Sequence, residues 1–506
     1  MLLNALRNRP LLIVIALVMI SIIPLLSPAV PPITDVLGHI GRYRVQLDVG
    51  HDPILQRYYG FEWALIGNLG VDLLVQLLGP ILGLEPAVKL IVIGVVALTV
   101  TGFLMVARQV HGRIGPAALF ALPLVYGFPF QFGFINYCLS MGMAFLAFAL
   151  WLRLGQQGRI GLRTALFIPI AFCVWTAHIS GLGALGLFVF ASEFVRLRDA
   201  GLNPFAALFK GGINCLPLAL PLLITIFSGA SDTEGGTGDW FRWDIKYQWI
   251  TRALNDQWQQ FDVFSVMILV LLIAVTAILS DLRFNRTLGL AAGLLFIAFI
   301  ITPRILIGSA YADMRLAPFV LAMALLAIET TPQANRRVGR VLMLAGLGFF
   351  CVRTLATTES FRRYDAVLTR EAAALNFIPV GARVATFVHR SCDEEWMLER
   401  RSHLPSLALA RRKAFTNDQF VLGGAQLLRI RYAPAAPFDR DPSQFVTGEK
   451  CTRRDWRSFG QAMTTVPRGA FDYLWVIGAP EDREVDYSGL TPAWRNGASV
   501  LYRIDR

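Results

Sequence analysis

The chain is 506 residues long, 55% hydrophobic and only 16% charged, with a formal net charge of +12. A soluble chain carries about a quarter charged residues, so the composition excludes an ordinary soluble enzyme and describes a polytopic α-helical membrane protein. The basic residues form no single patch but recur as short clusters between apolar runs. That argues against a nucleic-acid partner and for the positive-inside pattern.

The basic N-terminus leads into the apolar run Leu11–Leu26, then Ser27-Pro28, with no convincing small-x-small cleavage site, so it reads as a retained first helix. Crossing a hydrocarbon core of about 30 Å takes roughly 20 residues. About eleven such segments occur, at residues 10–30, 87–107, 114–130, 132–153, 162–178, 180–197, 208–228, 262–281, 286–303, 315–331 and 339–356. Arg7 and Arg9, and the short loops carrying Arg108/Arg113, Arg153/Arg159/Arg163, Arg196/Arg198/Lys210, Arg283/Arg286 and Arg336/Arg337/Arg340, then share one side. The expected topology has a cytoplasmic N-terminus and places 31–86, the loop Gly229–Phe261, the loop Pro303–Arg315 and everything after Thr357 outside.

In the first outer loop two prolines end the first run, and Thr34 is the expected N-cap of a short helix. There Asp35, His39 and Arg42 fall at i, i+4 and i+7 and share one face. An acid favoured by the helix dipole, with two solvated neighbours, accounts for them equally. His51 and Asp52 lie past that helix and need only be loop residues. Phe61–Leu84 is apolar but carries Glu62, Asn68 and Asp72, and reads as amphipathic helices lying along the outer leaflet.

His178 stands at a bend between two spans, where a lone histidine is more often structural. In the third outer patch Arg304 and Arg315 flank a short loop with Tyr311 and Asp313. Asp313 and Arg315 mark a helix start, with Arg315 snorkelling to the interface, or the arginine fork receives a phosphate or diphosphate. The loop Gly229–Phe261 is dense in tryptophan: Trp240, Trp243, Trp249 and Trp258 form an interfacial belt first. Stacking on sugar rings, with Asp239 and Asp244 as hydrogen-bond partners, is the second reading. The spacing of those two aspartates is too loose for a metal site.

Beyond residue 356 charges become frequent and apolar runs shorten. Glu359–Asn376 reads as a helix, and Ala382–Val388, Asp472–Ile477 and Ser499–Ile504 as strands of a small C-terminal α/β domain. The expected division is therefore 1–356, including the first outer loop 31–86, and 357–506. Cys392 and Cys451 stand alone in that domain, and in an oxidising compartment a disulfide between them is expected. No phosphate-cradling glycine loop, nucleophile elbow or HExxH is present, and the spans are mostly clean of ionisable residues, which speaks against ion-coupled transport.

The first-loop acid in TDVLGHIGRY, the span FGFINYCLSMGMAFLAFALWLRL, the bend TAHISGLGALGLF and the helix start YADMRLAPFVLA together resemble the GT-C superfamily of integral-membrane glycosyltransferases, specifically uncharacterised bacterial members. The resemblance spans the membrane part and does not extend to the C-terminal domain, and the first loop lacks a tight Asp-x-Asp. It implies transfer of a sugar from a polyprenyl-phosphate-linked donor to a lipid or glycan acceptor at the periplasmic face of a bacterial inner membrane. In the implied inverting displacement Asp35 is the general base. Arg315, Arg304 and Arg42 are candidates for the donor phosphate, with His178 and His39 as hydrogen-bond donors. Trp240, Trp243, Asp239, Asp313 and Tyr311 are candidates for sugar contact. No cofactor is implied with certainty, and a divalent-cation requirement stays open. The rival readings are a flippase or exporter for a lipid-linked glycan, and an envelope glycan polymerase or ligase.

Overall fold

The computed structural model describes residues 10–227, 236–393, 395–421, 427–451, 456–480 and 485–505. Arg7, Arg9 and the beginning of the Gly229–Phe261 loop lie outside the described residues. Packing divides the chain into two compact units: Met1–Ser27, Leu65–Val71 and Ile91–Ser360 form one, and Pro28–Ala64, Asp72–Leu90 and Phe361–Arg506 the other. Most of the first outer loop thus groups with the C-terminal residues, whereas the sequence reading assigned it to 1–356.

In the helical unit each predicted apolar run meets an apolar helix. Among the described residues six helices are long and apolar enough to cross a membrane, or seven if the bent pair Pro204–Asn214 and Leu216–Thr225 is one span. Shorter apolar helices occupy Leu11–Leu26, Ala118–Phe132, Arg286–Ile301 and Met314–Leu326. Phe205, Phe264, Leu271, Leu344 and Leu355 are exposed; an outward apolar surface of this kind suits lipid, not water. The chain is a polytopic helical membrane protein.

Prolines explain where the helices depart from simple spans. The run 114–130 is broken into Ala118–Ala121, a 3-10 turn Leu122–Tyr126, and Phe128–Phe132. Pro123 and Pro129 each open a new segment because they lack an N–H and clash with the preceding turn. The 57° bend between Pro204–Asn214 and Leu216–Thr225 sits just before Pro217. Conversely, the last predicted span and the predicted Glu359–Asn376 helix are one continuous helix, Arg336–Ala372, followed by the 3-10 turn Ala373–Phe377. Neither Gly nor Pro occurs between Gly348 and Pro379, so nothing in the chain stops that helix.

The second unit is an α/β fold. Its seven-stranded sheet runs Arg457–Ser458, Phe445–Thr447, Arg383–His389, Tyr473–Ile477, Ser499–Ile504 and Leu490–Asn496, with Phe415–Thr416 also paired to Arg383–His389. Arg383–His389 is parallel to Tyr473–Ile477, Phe445–Thr447 and Phe415–Thr416. Central parallel strands are buried on both faces, hence the continuous apolar runs in VATFV and YLWVI. Val388 pairs with Phe445 and His389 with Val446, and beyond these two strands the Cys392–Cys451 disulfide joins the segments that leave them.

The first outer loop is built into this core. Val45, Leu55, Tyr58 and Tyr59 pack with Phe387, Phe415, Leu428 and Phe438. Tyr58 donates to the Gly381 carbonyl at 2.7 Å, and Tyr59–Phe61 pairs antiparallel with Leu428–Ile430. Phe61 is therefore strand, not the start of an amphipathic helix; that helix is Gly70–Leu82 alone. It does keep an exposed apolar stripe, Leu73, Leu77 and Ile81, opposite the buried Asp72 and Val75, at the i, i+4, i+8 spacing of one helix face.

Candidate functional site

In the second unit the first-loop helix runs Val36–Asp48, and Asp35, not Thr34, occupies its N-cap position. The Asp35 carboxylate makes no capping hydrogen bond; only its backbone carbonyl joins the helix, accepting from His39 N at 3.0 Å. Its side chain is buried, and Oδ1 lies 3.9 Å from His403 Nε2. His403 Nε2 is also 4.0 Å from Asp441 Oδ1. Asp441 is held by the Gln444 amide, which donates to Oδ1 at 2.7 Å, and by its own N–H on the Gln419 carbonyl.

What lets these groups meet is a glycine face. A Cβ on Gly38 would come within 2.8 Å of the Phe420 ring and 3.2 Å of His403 Cγ. One on Gly41 would lie 2.7 Å from Gln419 Nε2 and 3.0 Å from Ser406 Cβ. The i, i+3 glycines therefore seat the segment before and within the helix Ser406–Arg412. Gly41→Ala is expected to cost about 1–3 kcal/mol, the usual penalty for overpacking, and to lower the unfolding midpoint of purified protein. An unchanged midpoint would show that Ser406 and Gln419 yield freely.

Beneath lies a polar floor. Thr416, Asn417, Asp418 and Gln419 are fully buried. Asn417 accepts from Thr386 N and Oγ1 and donates to the Thr386 carbonyl. Ser406 Oγ donates to Asp418 Oδ2 at 2.7 Å and accepts from Gln419 Nε2 at 2.6 Å. Burial pushes the Asp418 carboxyl above its ordinary range against the pull of His403 and Ser406.

His39 and Arg42 sit on the same helix with different fates. Burial, then the charges of Arg42 and His403, hold the His39 imidazole well below its ordinary pKa, so it is neutral at pH 7. Its ring lies against Tyr43 and Phe420. Arg42 is paired with Asp72 at 2.6 Å, both side chains buried; burial works against its charge, but Asp72 and Tyr43 outweigh that and raise its pKa. Its strongest contact is thus a carboxylate of the chain itself. Asp52, expected as a loop residue, caps Ile54 and Leu55 and pairs with Lys413 at 2.5 Å, while His51 is exposed.

The helical unit gathers the other candidates. Arg315 donates to Ser309 Oγ at 2.9 Å and to the Ala310 carbonyl at 3.1 Å, and its guanidinium stacks 4.0 Å from the Phe134 ring. Tyr137 donates to the Arg315 carbonyl, and the His178 ring packs on Tyr137. His178 Nδ1 accepts from Ser180 N, capping the helix Ile179–Asp199, which is the structural reading of that residue. Arg304 pairs with Asp239 at 3.0 Å.

Asp239, Phe241, Ile307 and Tyr311 all have positive φ, between 50° and 61°. Such backbone is costly for side-chain-bearing residues, most of all β-branched ones, and clusters where function constrains a loop. Trp240 and Trp243 are more than half exposed on this loop, as both the belt and the sugar-stacking readings require. Tyr311 packs on Trp249 and Phe132. Asp313 faces inward: it accepts from Lys246 Nζ at 2.7 Å, Trp249 Nε1 at 3.1 Å and its neighbour Met314 N. Asp244 pairs with Arg242 on the surface. No cluster of three or more potential metal ligands occurs among the described residues.

His403, Asp441, Asp418 and Gln419 were missed from sequence. Their one legible signal was the glycine pair three residues apart in the first-loop helix, which marks a face built for close approach.

No family model and no curated protein matches the sequence. Among solved structures the chain is similar to the crystal structure of ArnT from Cupriavidus metallidurans bound to undecaprenyl phosphate, with a TM-score of 0.51 and 12% identity over 97% of each chain. At that identity the likeness is one of fold, and it extends over almost the whole sequence.

Proposed function

We propose that this protein is a GT-C-type glycosyltransferase that moves a sugar from a polyprenyl-phosphate-linked donor to a lipid or glycan acceptor at the periplasmic face of a bacterial inner membrane. The observation that carries the reading is a fold like that of a protein crystallised with undecaprenyl phosphate. A buried first-loop carboxylate left unused by helix capping adds to it.

The acceptor hydroxyl attacks the anomeric carbon, the bond from that carbon to the phosphate oxygen breaks, and its electron pair leaves with the lipid phosphate. Asp35 takes the hydroxyl proton as the new bond forms. Charge grows on the departing phosphate, and fixed cations stabilise it without reorganisation. Arg315, oriented by Ser309, Ala310 and Phe134, and Arg304, oriented by Asp239, are assigned that role. His39 and His178 are the assigned hydrogen-bond donors. Arg42 acts through the pair it makes with Asp72, which fixes the first-loop helix. Trp240 and Trp243 are the sugar-stacking candidates.

The test is a transfer assay with the full chain in vesicles, a panel of radiolabelled undecaprenyl-phosphate hexoses and pentoses, and a bacterial envelope lipid and glycan fraction. Label is expected to appear on an acceptor with inverted anomeric configuration, in step with release of undecaprenyl phosphate. Movement of an intact lipid-linked glycan across the bilayer, with no glycosidic bond broken, would establish the flippase reading instead.

A further inference from the structure

We propose that His403, carried by the C-terminal segment, is a positioning residue that stands as an imidazolium between Asp35 and Asp441 and holds Asp35 ionised for its work as a base. The proposal rests on the assignment of Asp35 above.

The protonation state follows from geometry. His403 Nδ1 lies 2.9 Å from the Asp418 carbonyl oxygen. A carbonyl only accepts, so Nδ1 carries a proton. Nε2 is then the atom turned toward Asp35 Oδ1 at 3.9 Å and Asp441 Oδ1 at 4.0 Å. A bare lone pair there would face two anions; a second proton turns both contacts into attractions, strengthened by burial.

The ring is not free to choose another pose. It is buried, lies 4.3 Å from the Phe420 ring, and is backed by the glycine at position 38. Asp441 is equally fixed, by Gln444 and the Gln419 carbonyl. Of the other charged and titratable neighbours, the buried Arg400 on the same segment donates to the Pro32 carbonyl at 3.0 Å and stacks 4.0 Å from the Tyr364 ring. On the first-loop helix His39 is neutral and Arg42 is paired with Asp72. On the buried floor the Asp418 carboxyl accepts from Ser406.

Two flanking carboxylates give the arrangement a use beyond one ion pair. Before reaction, the cation favours the charged form of a buried Asp35, which burial alone would disfavour. When Asp35 accepts the acceptor's proton and loses its charge, the imidazolium keeps Asp441 as its partner and is not stranded. Asp35 is thus charged when it must accept a proton and free to become neutral afterwards.

The first test needs no substrate. The chain has six histidines, so ¹⁵N-histidine magnetic resonance of the full chain in nanodiscs can resolve His403, identified by the signal lost in His403→Gln. The expected signal at neutral pH is doubly protonated, reverting toward the neutral Nδ1–H tautomer in Asp35→Asn/Asp441→Asn. A neutral His403 in the unaltered protein overturns the proposal.

The second test uses the transfer assay. His403→Gln is expected to lower kcat about tenfold with KM little changed. It should also move the acid limb of the pH–rate profile upward by about one unit, the size of shift that removing a neighbouring opposite charge produces. A variant whose loss reflects only a smaller folded fraction, with the limb unmoved, shows a merely structural histidine. The two readings fail separately. Full transfer by Asp35→Asn removes Asp35 as the base, whereas an unmoved limb with Asp35→Asn inactive removes only the role of His403.

Discussion

Asp35→Asn is expected to reduce sugar transfer about 10²- to 10⁴-fold, the contribution typical of a positioned general base, while leaving the unfolding midpoint close to that of the unaltered protein. The substitution is nearly isosteric, and asparagine is as good an N-cap residue as aspartate. The carboxylate caps nothing in any case, so the helix Val36–Asp48 has no reason to fray. What disappears is an oxygen basic enough to take a proton. Initial rates under saturating donor, with the midpoint measured on the same preparation, separate chemistry from folding. Full activity with an intact fold would falsify the base assignment and return Asp35 to the role of a first-turn acid.

The largest expected effect on stability lies elsewhere, at Asp313. Its carboxylate is the ion-pair partner of Lys246, and both side chains are almost wholly buried. The Lys246 ammonium also donates to the Phe299 and Thr302 carbonyls. Asp313→Ala leaves those carbonyls but removes the compensating charge, and also strands the indole N–H of Trp249. Breaking a buried pair from one side costs about 3–5 kcal/mol, whereas replacing both members with apolar residues is often neutral. The single variant should therefore unfold at markedly lower temperature, and Lys246→Met/Asp313→Leu should recover much of the loss. Equal losses in the two would show that the hydrogen bonds to Trp249 and Met314 carry the stabilisation, not the ion pair.

Several features were legible because they are local. Apolar length and basic flanks are properties of a dozen or so neighbouring residues, and every predicted run meets an apolar helix. The central strands were legible for the same reason, since a strand buried on both faces is a short continuous apolar run. The breaks at Pro123, Pro129 and Pro217 and the unbroken stretch up to Pro379 were equally present in the sequence; counting apolar length alone passed over them.

Other features depend on partners distant in the chain. Nothing near residues 416–419 in the sequence announces that four polar residues are buried; Tyr59, Thr386, Ser406 and Ser443, distant in the chain or beyond the segment, supply their hydrogen bonds. Asp313 reads in sequence as a helix-start residue or a sugar contact; Lys246 and Trp249 make it an internal counter-ion. Arg42 reads in sequence as a solvated residue or a phosphate ligand; Asp72 makes it half of a buried ion pair.

By itself, then, the sequence determined that this is a polytopic helical membrane protein with an α/β portion and an acid at the start of the first-loop helix. Hydrophobic period, charge spacing and capping preference are all written within one turn or one strand. Only the tertiary structure decided that the acid is buried beside His403 and Asp441. Nothing local ties residue 35 to residue 403: their meeting depends on how closely two backbones pack at Gly38 and Gly41, and on a sheet register set by strands far along the chain.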